Sequence, residues 1–168
     1  IIKNKKIFTK SENKSLKIYD NWLKSHGNEN AIRFSNLDLI TNKNASNLEV
    51  AWIFRSEGFK GDIQANPVVV DGIIYTPISG GFIAAIDGET GNLIWKSKKF
   101  GNSVARRGMT YWMGNKEKNI SPRLLFPNRE SLIALDPKTG KLISAFGRKG
   151  KIRTGLNVLP PVIYKDKI

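Results

Sequence analysis

Ala85-Ile86-Asp87-Gly88-Glu89-Thr90-Gly91-Asn92-Leu93-Ile94-Trp95 returns 49 residues later as Ala134-Leu135-Asp136-Pro137-Lys138-Thr139-Gly140-Lys141-Leu142-Ile143-Ser144. Each copy follows a short apolar run, Gly81–Ala84 in the first and Ser131–Ile133 in the second. In A-x-D-x-x-T-G the Asp and Thr side chains can bond the free amides of a tight turn. The Gly takes the positive φ that a hairpin ending in a bulge requires. The apolar residues that follow form an outer strand, from which Trp95 can lie flat over a neighbouring sheet and take about 150–250 Å² of ring out of water. Ala84, Ala85 and Ala134 are small enough to leave space for such a ring. Recurrence in both copies assigns Asp87 and Asp136 to the turn rather than to catalysis or calcium binding.

A second element also returns. Asn66-Pro67-Val68-Val69-Val70-Asp71 and Pro160-Pro161-Val162-Ile163-Tyr164-Lys165 are offset by 94 residues, about two units of the first repeat. Between Leu48 and Trp95 the pattern predicts short strands at Val50–Phe54, Pro67–Val70, Ile73–Thr76, Phe82–Ile86 and Asn92–Trp95. Asp71-Gly72, Gly80-Gly81 and Gly88–Gly91 interrupt them at hairpin lengths, too short for crossover helices, so the sheets are antiparallel. No window of about 12 residues carries a helical period. A unit of roughly 40–50 residues with several short strands is the pattern of a β-propeller blade. The predicted fold class is all-β.

Composition bounds the function. At 168 residues and 18.8 kDa the chain has room for one ordinary domain or part of a larger one. With 40% hydrophobic and 25% charged residues it can bury a core. The absence of cysteine excludes a disulfide scaffold, a thiolate metal site and a cysteine nucleophile. His26 is the only histidine, which excludes a His-based metal cluster and a serine triad; it reads as a surface residue. No nucleotide-binding glycine motif and no stretch of roughly 18 apolar residues is present. The first residue is Ile1, so the sequence reads as a processed chain, an excised piece or a partial reading frame. The formal net charge is +14. Its lysines are scattered, with no zinc-finger spacing and no aromatic RNA-binding motif, so the charge reads as a solvated surface and no nucleic-acid partner is expected. Attraction to acidic headgroups is the other reading of such a balance. Residues 1–21 are rich in Lys, Asn and Ser and read as a basic arm or tail.

With these elements placed, the sequence resembles the quinoprotein dehydrogenases, eight-bladed propellers that carry pyrroloquinoline quinone (PQQ). The likeness runs from about Trp22 to Ile168. Trp22, Arg33-Phe34-Ser35, Leu37 and Ile40 resemble the family's opening segment, and Asn47-Leu48-Glu49-Val50-Ala51-Trp52 its first outer strand. Gln64–Tyr75 is similar to the start of the first full blade. Arg107-Gly108-Met109-Thr110-Tyr111-Trp112 matches the family's R-G-x-x-Y-W element, and Phe146-Gly147 with Gly150 resembles the segment after its second repeat. The resemblance implies the N-terminal part of such an enzyme. An opening segment and outer strand would occupy 22–58, blade-like repeats 59–150, and the start of a next blade 156–168. Trp22, Trp52 and Trp112 read as packing residues between blades.

The same resemblance implies a reaction and a few site residues. The parent enzyme would oxidise an alcohol, polyol or aldose with PQQ and calcium, and pass electrons to a cytochrome or a membrane quinone. That implies a periplasmic site or the outer face of the inner membrane. Arg107 falls where the family has an arginine on the quinone; PQQ carries three carboxylates, and a guanidinium offers paired, permanently charged donors. Arg106 is next to it. Gln64 falls where many alcohol-oxidising members have a glutamate, and its amide can hydrogen-bond a quinone substituent but cannot act as a base. The vicinal cysteines of that branch have no counterpart in Asn102–Arg106, which leans towards a sugar or polyol branch, and Val158 stands where many members have a threonine. Glu57 and Asp62 have no paired carboxylate at useful spacing. Calcium ligands and the catalytic carboxylate come from later blades in the family, so no catalytic or metal-binding residue is assigned, and the piece alone is expected to be inactive. The alternative is a non-enzymatic scaffold propeller of the same repeat, which binds protein partners; the R-G-x-x-Y-W element argues against it.

Overall fold

Alternation along each strand sorts the apolar side chains onto two faces. The computed structural model, which describes residues 21–28, 30–35, 37–56, 63–101, 104–164 and 167–168, is organised by it. Residues 1–20 of the arm expected at 1–21, with Glu57 and Asp62, lie outside the described residues. Among the described residues, eight strands make two four-stranded sheets, each with its strands in sequential order. The first contains β1 (Val68–Val70), β2 (Ile73–Ile78), β3 (Phe82–Asp87) and β4 (Leu93–Lys96); the second contains β5 (Thr110–Trp112), β6 (Arg123–Asn128), β7 (Ser131–Leu135) and β8 (Lys151–Arg153). Every pairing is antiparallel. The β1–β2 hairpin turns on Asp71 and Gly72, whose φ values of 49° and 79° give the mirror-image turn that suits the right-handed twist of the strands.

The main core is the seam between the sheets. Val68, Val70, Tyr75, Ile83 and Ala85 of the first sheet pack with Met109, Leu124, Phe126, Ile133 and Leu135 of the second and its lead-in. Residues one step out of phase, Ala84 and Ile86 or Leu125, Leu132 and Ala134, line the two outer faces, as a period of two demands. The Tyr75 ring sits 6.0 Å from Trp95 and 5.8 Å from Tyr111, so three aromatic rings cross the seam. Burial pushes the hydroxyls of Tyr75 and Tyr111 up from the ordinary tyrosine value, and the Asp71 and Asp136 charges add to this. Both phenols stay neutral, and the seam remains uncharged.

Tryptophans lock the repeat turns. Trp95 donates its indole N–H to the Pro137 carbonyl at 2.8 Å, and its ring lies against Gly140 so closely that a Cβ there would overlap it. Trp52 does the same one sheet earlier, donating to the Gly88 carbonyl at 3.1 Å and lying over Gly91. Gly88 and Pro137, like Gly91 and Gly140, occupy equivalent places in the two copies. Each glycine also has the positive φ expected of it, 74° at Gly91 and 67° at Gly140. The turn role of the aspartates is observed. Asp87 Oδ1 accepts from the amides of Glu89 (3.1 Å) and Thr90 (2.8 Å), and Asp136 Oδ1 from the amide of Lys138 (2.7 Å).

Three sequence expectations need correction. Val50–Phe54 forms no strand, because no other described strand lies beside it to complete the ladder; it stays extended and Trp52 docks regardless. Residues 156–164 likewise form no strand, although Ile163 is buried against the outer face of the second sheet. After the second repeat the outer strand is split: Leu142 bridges Leu135, the chain leaves, and it returns at Gly150 to pair as β8 with β7.

Candidate functional site

The first strand of each sheet begins at the same end of the molecule, and three lead-in segments converge there. Residues 63–67 run into β1, 104–109 into β5, and 156–161 come back past the β6–β7 turn, where Asn157 N–H donates to the Arg129 carbonyl at 3.2 Å. Thr110 Oγ1 donates to the Pro161 carbonyl at 2.8 Å and ties the third segment to the head of β5.

Arg107 is presented by a tight turn. Gly108 N–H donates back to the Ala105 carbonyl at 2.8 Å, and Ala105 N–H to the Pro127 carbonyl at 3.0 Å. Ala105 is fully buried with a φ of 45°, a conformation that residues with a Cβ seldom adopt. Met109, also fully buried, pins the other side. Between these two anchors Arg106 and Arg107 are exposed. Ser25 closes the arrangement: its hydroxyl donates to the Arg107 carbonyl at 3.4 Å, while its own carbonyl accepts from Asn66 Nδ2 at 3.4 Å. Gly108 lies against the Asn66 backbone; a Cβ there would be 3.6 Å from the Asn66 carbonyl oxygen.

Gln64, two residues before Asn66, is therefore on the same end as Arg107 and is exposed. No hydrogen bond joins the two side chains. Val158 stands four residues before Val162, as Gln64 stands four before Val68, and is 43% exposed. Sequence reasoning missed Ser25 and Asn66, whose side chains donate to backbone carbonyls of segments far apart in sequence. The only trace of them is their place in the segments with family likeness. Trp22 is not a ring packed between blades alone. Its backbone exchanges two hydrogen bonds with Val69 (2.7 and 2.9 Å), and the next carbonyl, Leu23, accepts from Tyr111 N–H at 2.8 Å, so the opening segment stitches β1 to β5. His26 is exposed.

The described side chains at this end are mainly cationic. Lys99, Arg106, Arg107 and Arg129 are exposed there, and Glu130, the carboxylate of the β6–β7 turn, is engaged by Arg153 at 3.2 Å. No described carboxylate pairs with Arg106 or Arg107. Such a donor set suits a compact polyanion. Among the described residues, no three metal-ligating side chains come together.

Four-stranded antiparallel sheets laid face to face, with each turn receiving a tryptophan from the preceding strand or segment, define a β-propeller blade pair. The family model described as "PQQ: Glucose/ethanol/alcohol dehydrogenase, beta-propeller domain" matches residues 22–163, and the chain belongs to that family. It is 36% identical over 150 residues to a quinohemoprotein alcohol dehydrogenase of Comamonas testosteroni, covering 81% of this chain and 20% of that protein. It is 32% identical over 133 residues to the dehydrogenase subunit of an alcohol dehydrogenase (quinone) of Komagataeibacter europaeus, covering 73% of this chain and 17% of that protein. The crystal structure of the Comamonas testosteroni enzyme superposes with a TM-score of 0.61 at 28% identity, covering 84% of this chain and 20% of that one. The chain thus spans about a fifth of the length of the curated relatives it matches.

Proposed function

We propose that these two sheets are the first blades of a PQQ-dependent dehydrogenase that oxidises an alcohol, polyol or aldose and delivers the electrons to a cytochrome or membrane quinone, with a periplasmic location. The observation that carries the reading is the Ala105–Gly108 turn: it holds the exposed guanidinium of Arg107, which pairs with no described carboxylate, where the first strands of the blades begin. When bound, PQQ supplies the two-electron acceptor for the substrate hydroxyl. Arg107, seconded by Arg106, would hold its carboxylates by charge-assisted hydrogen bonds. Gln64 donates an amide N–H but carries no negative charge and takes no proton. Val158 offers an apolar contact in the third lead-in segment. The carboxylate that takes the hydroxyl proton and the calcium ligands are assigned to other parts of the enzyme.

The test is titration with PQQ, followed by quinone absorbance, on wild-type protein and Arg107→Ala in the complete enzyme. Loss of one charge-assisted bidentate contact weakens binding by about 10- to 100-fold, while Arg107→Lys retains only part of the affinity. Unchanged affinity in Arg107→Ala removes Arg107 from the site. Absence of dye-linked oxidation of any alcohol or aldose, with PQQ and calcium supplied, favours the scaffold propeller instead.

A further inference from the structure

The outer edge of the second sheet carries charge that the blade reading leaves unused. Of the six residues 148–153, Arg148, Lys149, Lys151 and Arg153 are cationic, and all four are exposed. Arg153 is held by Glu130; no described carboxylate pairs with the other three. The lysines beside β4 are placed differently. Lys96 Nζ lies 4.9 Å from the centre of the Phe82 ring and Lys98 Nζ 5.8 Å from that of Phe100, so those cations fold back onto their own blade. On the second sheet the excursion from Ser144 to Lys149 turns the chain outward. Positive φ values at Gly147 (56°), Lys149 (54°) and Gly150 (84°) set Arg148 and Lys149 in the turn.

An aliphatic side chain stands among these cations: Ile152, 39% exposed, lies against Gly147, next to Arg148. No aromatic residue occurs from Gly147 to Ile163, so the stacking platform used for single-stranded nucleic acid is missing. Lysine and arginine beside an exposed aliphatic group match an anionic bilayer surface, where phosphates meet the cations and the acyl boundary takes the apolar group. We propose that the Arg148–Arg153 edge docks the protein on a membrane of anionic phospholipid.

The experiment is flotation of the whole chain with phosphatidylcholine vesicles containing about one-third phosphatidylglycerol, against pure phosphatidylcholine. Each surface charge is worth about fivefold, so Arg148→Ser/Lys149→Ser/Lys151→Ser lowers vesicle affinity on the order of 100-fold. Ile152→Ser lowers the binding that persists at high salt. A charge-matched control, Lys3→Ser/Lys5→Ser/Lys6→Ser, separates the edge from net charge, because it removes three positive charges elsewhere in the sequence. Loss in the first triple variant with at most about a tenfold loss in the second supports the edge. Equal losses in both, equal binding to neutral vesicles, or a preference for duplex DNA that the edge variant abolishes would overturn the proposal. Unchanged far-ultraviolet circular dichroism in the exposed-site variants excludes unfolding as the cause.

Discussion

The two repeat turns are built alike, and the strands that leave them are not. In the first sheet β4 runs from Leu93 to Lys96 with a single bulge, pairing Trp95 with Ala85. In the second, Ser144 stands where Trp95 stands in the first, and the partner of Ala134 is supplied in two pieces: its carbonyl accepts from Ile143 N–H, and its N–H donates to the Gly150 carbonyl. Turn and docking are therefore separable properties. Asp, Thr and Gly specify the turn, which forms in both copies. The receiving turn also specifies the dock, through a glycine floor and a carbonyl aimed at the indole. Trp52 makes the point from the other side, since it reaches its turn from a segment that is not a strand.

The largest expected effect comes from breaking the dock where it is deepest. Trp95 joins the seam with Tyr75, so Trp95→Ala costs about 3–5 kcal/mol in urea denaturation. Gly140→Val does at least as much harm, because it combines a strained positive φ with eviction of the ring. Trp52 packs only on the outer face of the first sheet with Ala84 and Ile86, so Trp52→Ala costs about 2 kcal/mol. Equal costs for Trp52→Ala and Trp95→Ala would show that the aromatic seam adds nothing to docking.

A smaller effect separates the two turns by pH. Asp87 Oδ1 accepts from the Thr90 amide and the Thr90 hydroxyl, both at 2.8 Å, and from the Glu89 amide. The Thr90 amide chiefly, then the Thr90 hydroxyl, holds the carboxyl below the ordinary aspartate value. A depressed carboxylate stabilises the fold when ionised. Its contribution is complete above the unfolded aspartate value, near pH 4, and fades as pH falls through the lower native value. Asp87→Asn should therefore lower the neutral plateau of a stability-against-pH curve and flatten its acid limb, so that the two proteins converge at low pH. A steeper acid limb in Asp87→Asn would contradict the turn role.

Much of this was legible in the sequence for a local reason. Strands β1 to β4, the Asp71-Gly72 hairpin and both repeat turns depend on residues within a dozen positions of one another, and alternation and turn chemistry act at that range. The errors fall where a strand needs a distant partner. Val50–Phe54 has the right composition but no neighbour, and the split in the second outer strand depends on where residues 144–149 return. At the candidate site, Arg107 and Gln64 are named from family likeness alone. Nothing in composition or spacing forecasts that Ser25 would bridge Arg107 and Asn66, because its hydroxyl meets a backbone carbonyl 82 positions away.

The finest test of the comparison is to give the second copy the residue it lacks. If docking depends on the receiving turn, a tryptophan at an exposed position with no described turn beyond it has nothing to bind, and Ser144→Trp changes stability by no more than about 0.5 kcal/mol. The same substitution should leave Gly150 bonded to Ala134 and β8 in register, which hydrogen exchange of the Ala134 amide reads directly. A gain above about 1 kcal/mol would mean that the ring finds a partner within these two sheets. Docking would then be a property of the tryptophan and its strand, and the glycine floors at Gly91 and Gly140 would be a consequence of the ring's position instead of its cause.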